Sequence, residues 1–213
     1  MRIKDWNYRI LFPGYILLIV LVMFLGSACG QITTSASKLE DNPALFSLVT
    51  VAVSSILLLI VIYFTHPGLR RLAGALIGGS VFAALNVACD MIAYYAGWWQ
   101  YPVTEDIHAP WLFYAGAGLF YGAAVALIGW RINRRFRVYG LLIFILLMSI
   151  LGAIRDFSYA SSTNLLVFGT GIMPVIADWS AWATLFLLTQ LVMRLIAGPA
   201  KTDRLARSKE KAQ

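Results

Sequence analysis

The sequence predicts an all-α fold, a polytopic transmembrane bundle of six helices with both termini cytoplasmic. Three observations predict it. The 213-residue chain is 60% hydrophobic and only 13% charged, with a mean hydropathy of +0.76, whereas a soluble domain is about half apolar and a quarter charged. The apolar residues fall in long uninterrupted runs, the mark of bilayer-spanning helices. The basic residues occupy alternate connecting segments, as the positive-inside rule requires.

A helix needs about 20 residues to cross the hydrocarbon core. Runs of that size cover roughly 10–30, 44–65, 72–98, 110–130, 139–157 and 174–197. They are separated by SASKLEDNP, HPGLRR, YPVTEDIHAP, RINRRFR and SYASSTN, stretches rich in charge or helix breakers. Arg2, Lys4 and Arg9 precede the first run, and Arg70 and Arg71 follow the second. Arg131, Arg134, Arg135 and Arg137 follow the fourth, and Arg194 and the tail close the chain. With the N-terminus inside, all of these share one side, and only Lys38 and Arg155 fall on the other. A single transmembrane domain over 1–198 therefore carries a basic cytoplasmic tail, 199–213, that brushes anionic lipid. The expected location is a multi-pass one, in a bacterial inner membrane.

Two segments leave alternatives open. MRIKDWNYR and a run ending LGSAC resemble a secretory signal with a lipoprotein-type Cys29. Against cleavage stand Gly26, where that signal carries a leucine-like side chain, and the length of the run. Segment 164–173, NLLVFGTGIM, is too short to cross alone. It lies at the outer interface, dips back as a lid, or extends the sixth helix.

Several chemistries are excluded. Cys29 and Cys89 form no CxxC pair, and His66 and His108 lie far apart, so no histidine-rich metal site is expected. All five lysines fall outside the apolar runs, which removes an intramembrane Schiff base. No phosphate-binding glycine loop and no nucleophile triad is present, and no cofactor or nucleic-acid partner is expected.

The charges inside the runs carry the functional expectation. On this topology Asp90 in the third helix, Arg155 and Asp156 at the end of the fifth, and Asp178 early in the sixth share one depth near the outer face. The outer loop adds Glu105, Asp106 and His108. A charge at membrane depth costs roughly 2.5–3.5 kcal/mol or more and normally faces the bundle interior. Three acids around one guanidinium cannot all ionise cheaply, and a protonated acid beside a paired carboxylate suits general acid–base chemistry. The plainer alternative pairs Arg155 and Asp156 with headgroups and makes Asp178 a helix cap.

Binding residues follow. Asn86, Asp90 and Tyr94, at i, i+4 and i+8, form a polar stripe on helix three. Trp98, Trp99, Tyr101, Trp111, Trp179 and Trp182 lie near the outer boundary, either as an interfacial belt or as an aromatic wall able to stabilise a cation. Gly74-xxx-Gly78 and Gly118-xxx-Gly122 let helices approach closely and offer faces for homo-oligomer formation.

The stretch from Asp90 to Tyr101 reads Asp-x-x-Ala-x-x-x-Gly-x-Trp-x-Tyr. It resembles a helix end in the small integral-membrane lycopene cyclases and, more loosely, the carotenoid hydratases. The resemblance covers about a dozen residues and reaches Asp90, Gly97, Trp99 and Tyr101. It implies a helical bundle in which carboxylates protonate or hydrate a polyene. Those cyclases continue with Pro-x-Glu-Glu, where this chain has Pro110-Trp111-Leu112-Phe113. Asp156 or Asp178 would then supply the missing acid.

Three functions are therefore weighed. The first is an isoprenoid-modifying enzyme with Asp90 as general acid, Asp156 or Asp178 as its partner, and Arg155 tuning them. The second is a small proton-coupled carrier or a lipid- or solute-binding protein. The third is an accessory, assembly or scaffold subunit for which the pocket is structural; membrane lipid is a partner in every case, with a hydrophobic small molecule as the substrate of the first.

Overall fold

A computed structural model describes residues 43–198, apart from 103, 105, 106 and 163. The run 10–30, Cys29, Glu105, Asp106 and the tail 199–213 lie outside the described residues. Four of the described helices are long and apolar enough to cross a membrane. Leu59, Tyr63, Ile143 and Leu195 are among the large apolar side chains they expose. Such an exterior suits a multi-pass membrane protein, because water would penalise it.

Helix α1 (Pro43–Thr65) is joined to α2 (Leu69–Ala96) by His66-Pro67-Gly68. A connection this short makes the two antiparallel. Helix α2 ends at Gly97, whose φ of 68° is the left-handed cap, with its N–H bonded to the Tyr94 carbonyl. A two-residue strand β1 (Trp99–Gln100) follows. Helix α3 (Trp111–Phe113) leads into a seven-residue π-helical stretch, Tyr114–Phe120, which continues as α4 (Tyr121–Ser162). Strand β2 (Val167–Phe168) and helix α5 (Met173–Ala197) complete the described chain.

The fourth and fifth expected runs are not parted by a loop at RINRRFR. Two helices abut directly at Arg137, within RINRRFR, along the stretch Trp111–Ser161, 51 residues long. Arginine, isoleucine and asparagine carry no obligatory helix break, so the helix continues until Arg137, the one interior residue with non-helical angles (φ 58°, ψ −158°). Unbroken, 51 residues would reach about 77 Å, more than twice the hydrocarbon thickness. Instead, Tyr121 packs 6.4 Å from the Trp182 ring while Asp156 accepts a 2.8 Å hydrogen bond from that same ring. Residues 35 positions apart meet one side chain, so α4 turns back at Arg137.

Segment 164–173 is neither an extension of the last helix nor a separate interfacial helix. Val167 and Phe168 pair antiparallel with Gln100 and Trp99. The ribbon needs its glycines: a Cβ on Gly169 would run into the Gly97 carbonyl oxygen.

The small residues close the bundle within the chain. A Cβ on Gly78 would stand 3.0 Å from the Thr189 carbonyl in α5, and one on Gly118 would stand 2.5 Å from the Ala83 Cα in α2. Gly79 leaves no room at all, since a Cβ there collides with the Leu119 carbonyl oxygen. Gly79→Ala is therefore expected to destabilise by about 1–3 kcal/mol, although alanine is the better helix former. Its measure is a lower apparent melting temperature in detergent; an equal or higher value would show that the helices separate without cost.

Candidate functional site

The N-terminal ends of α1, α3 and α5 meet the C-terminal ends of α2 and α4 at one pole of the bundle. The opposite pole holds the arginines: Arg70 donates to the Ile196 carbonyl (2.8 Å), Arg131 donates to the Thr65 carbonyl, and Arg71 stacks 4.3 Å over Trp130. A cavity of about 320 Å³ enters the first pole, a size at the lower end for small-molecule sites. Asp90, Asp156, Asp178 and Arg155 all line it, together with Asn86, Trp99, Tyr101 and Trp182.

The three acids are held differently. Asp90, 4% exposed, is saturated. Its Oδ1 accepts from Trp99 Nε1 at 2.9 Å, the Tyr101 hydroxyl stands 3.2 Å from both oxygens, and the Tyr114 hydroxyl donates to Oδ2 at 2.5 Å. Three donors thus engage both oxygens of one carboxylate, the single Tyr101 proton being shared between them. Burial first, and the Asp90 carboxylate second, hold the Tyr101 hydroxyl well above the ordinary tyrosine range, so it remains a proton-bearing donor.

Asp156 is paired rather than turned to headgroups. Its Oδ1 accepts from Arg155 Nε at 2.9 Å and Nη2 at 2.7 Å, and its Oδ2 accepts from Trp182 Nε1 at 2.8 Å. The same guanidinium lies 4.8 Å from the Trp182 ring. One indole thus braces both members of the ion pair.

Asp178 stands apart. It is not a helix cap, because α5 begins at Met173 after Ile172 and makes no side-chain cap bond. It is 5% exposed, and among the described residues its Oδ2 has no hydrogen-bond partner. A buried carboxyl oxygen without a donor is costly as an anion. Asp178 is among the residues that line the cavity, and protonation of its carboxyl removes that cost.

The aromatic residues divide. Trp99 and Trp182 are buried in the cavity wall. Trp111 (68% exposed) and Trp179 (40% exposed) turn outward, and Trp98 is half-buried against the cluster of Ala93, Trp99 and Leu166 and does not line the cavity. Tyr94 also faces out, edge-on to Tyr95. The cause is helical drift: eight residues overshoot two turns by about 80°, which carries Tyr94 off the face shared by Asn86 and Asp90.

The structure adds residues that sequence reasoning missed. Tyr114 and Tyr121 bracket the π-helical stretch, one bonded to Asp90 and the other lining the cavity. Their signal was YAGAGLFY, a glycine pair flanked by tyrosines. Phe46 also lines the cavity, stacked on Phe113 at 5.6 Å and on Tyr159 at 5.4 Å; its apolar run offered no signal. Among the described residues no three His, Cys, Asp or Glu side chains group to hold a metal ion.

Comparison of the chain with protein-family models, with curated proteins and with solved structures finds no match. The site is defined by its own geometry: an apolar, aromatic-walled cavity with one saturated acid, one ion-paired acid and one acid left open.

Proposed function

We propose that this is a membrane enzyme that performs acid–base modification, cyclisation or hydration, of an isoprenoid lipid, with Asp178 as the proton donor. The observation that carries the reading is the buried, unpartnered Oδ2 of Asp178 in an aromatic-walled apolar cavity. Proton transfer from that carboxyl to an alkene carbon forms a C–H bond from the π electrons and leaves a carbocation on the neighbouring carbon. The aromatic lining of the cavity, Tyr121 within it, stabilises that cation. A second double bond or a water then attacks it, and the proton released returns to the Asp178 carboxylate. Arg155 and Asp156 neutralise each other and keep the Trp182 ring in place. Asp90, the acid expected to lead, serves instead to hold β1 and the π-helical stretch against α2.

A second reading, a carrier or lipid-binding protein, draws on the fact that two of the three acids are already engaged, leaving one carboxyl to act. Topology completes the proposal. The run 10–30, the helices flanking Arg137 and the remaining three spans make six crossings, with the arginine pole and both termini cytoplasmic and the cavity facing outward across a bacterial inner membrane. Mass spectrometry of the lipid that co-purifies, and of a supplied linear polyene after incubation, tests the function. Expected are a bound polyprenoid and a product that has gained one water or changed retention at constant mass. An extract free of isoprenoid, with the polyene unaltered, would count against it.

A further inference from the structure

We propose, on the reading that the cavity holds an apolar chain, that Leu57 and Leu185 form its floor and set the length of hydrocarbon the protein accepts. The cavity is lined along α1 from Pro43 to Leu57, which at 1.5 Å per residue is about 21 Å of depth. A volume of about 320 Å³ drawn out over that depth is a slot, not a chamber. The acids occupy its upper part. Asp178 lies five residues into α5, and Asp90 and Asp156 each lie six residues from the ends of their helices, so all three sit about 8–9 Å below the pole. Leu185 lies twelve residues into α5, about 18 Å down.

Roughly 10 Å of slot therefore continues beneath the reacting groups. Its lining there includes Val53, Leu57, Trp182 and Leu185, with Ser54, Asn86 and Tyr121 as the polar residues among them. Below the two leucines the bundle closes: Val61, Phe82 and Phe186 are fully buried and belong to the same core as Leu57 and Leu185. A chain threaded past Asp178 can advance only until it meets these side chains. Which bond lies beside the carboxyl then follows from how much chain fits beneath it.

The test is binding of straight-chain primary alcohols of increasing length to the full-length protein in detergent, read by native mass spectrometry. Affinity is expected to rise about fourfold per added methylene and to level off at one length. Leu57→Ala should move that length upward and Leu57→Phe downward, while Leu185→Val, a milder change, covers the case in which Leu57→Ala does not fold. Opposite shifts support the floor. A break point that stays put in folded variants overturns it while leaving the cavity reading intact. No alcohol bound by the unaltered protein overturns both.

Discussion

Asp178→Asn is expected to lower turnover of the isoprenoid by about 10²–10⁴-fold, the range lost when a positioned general acid is removed, while leaving stability unchanged. The substitution keeps shape and volume but removes the transferable proton. No hydrogen bond to Oδ2 is lost, because it has no donor among the described residues. An amide in place of a protonated carboxyl exchanges one neutral polar group for another, so the desolvation cost changes little. The two readouts separate a chemical role from a structural one: turnover falls while the apparent melting temperature holds. Full turnover in a folded Asp178→Asn protein would end the proposed mechanism. A large fall in melting temperature would instead make Asp178 a structural residue.

Asp90→Ala is expected to act the other way round and to destabilise the protein by about 3–5 kcal/mol. Trp99 Nε1, the Tyr101 hydroxyl and the Tyr114 hydroxyl would all lose their acceptor inside an enclosed pole. Hydrogen bonds to a charged group contribute about 1.5–3 kcal/mol each, and stranded buried donors add their own desolvation cost. Asp90→Asn keeps one acceptor oxygen and should lose less, about 1–2 kcal/mol. Thermal unfolding in detergent, followed by loss of the monodisperse gel-filtration peak, reads both. Because the donors belong to β1, the following loop and the π-helical stretch, limited proteolysis of the alanine variant should cut first within 97–120. An Asp90→Ala protein that melts like the unaltered chain would show that the four contacts contribute nothing to holding that pole.

Much of the cavity's composition could be anticipated from depth alone. Asp90, the neighbours Arg155 and Asp156, and Asp178 lie at one level on three helices, and the structure brings them to one cavity. Their roles could not be anticipated, because a carboxylate's role depends on which donors reach its oxygens. Trp182 Nε1 reaches Asp156 from 26 residues away and Tyr114 reaches Asp90 from 24. Likewise, an aromatic residue near the boundary reads the same whether it faces lipid or cavity. Trp111, the first residue of α3, is exposed, whereas Trp182, nine residues into α5, is buried.

Hydropathy and charge, properties carried by each residue alone, were enough to establish long apolar helices and the separation of most arginines from the acids. They are summed along the chain, so the sequence by itself determines them. What the tertiary structure decided is that the reversal within RINRRFR takes place at Arg137 without a loop, the ribbon joining 99–100 to 167–168, and which acid keeps an open oxygen. Each of these depends on groups from different helices meeting at hydrogen-bond or contact distance, in an apolar interior where water cannot substitute for a missing partner.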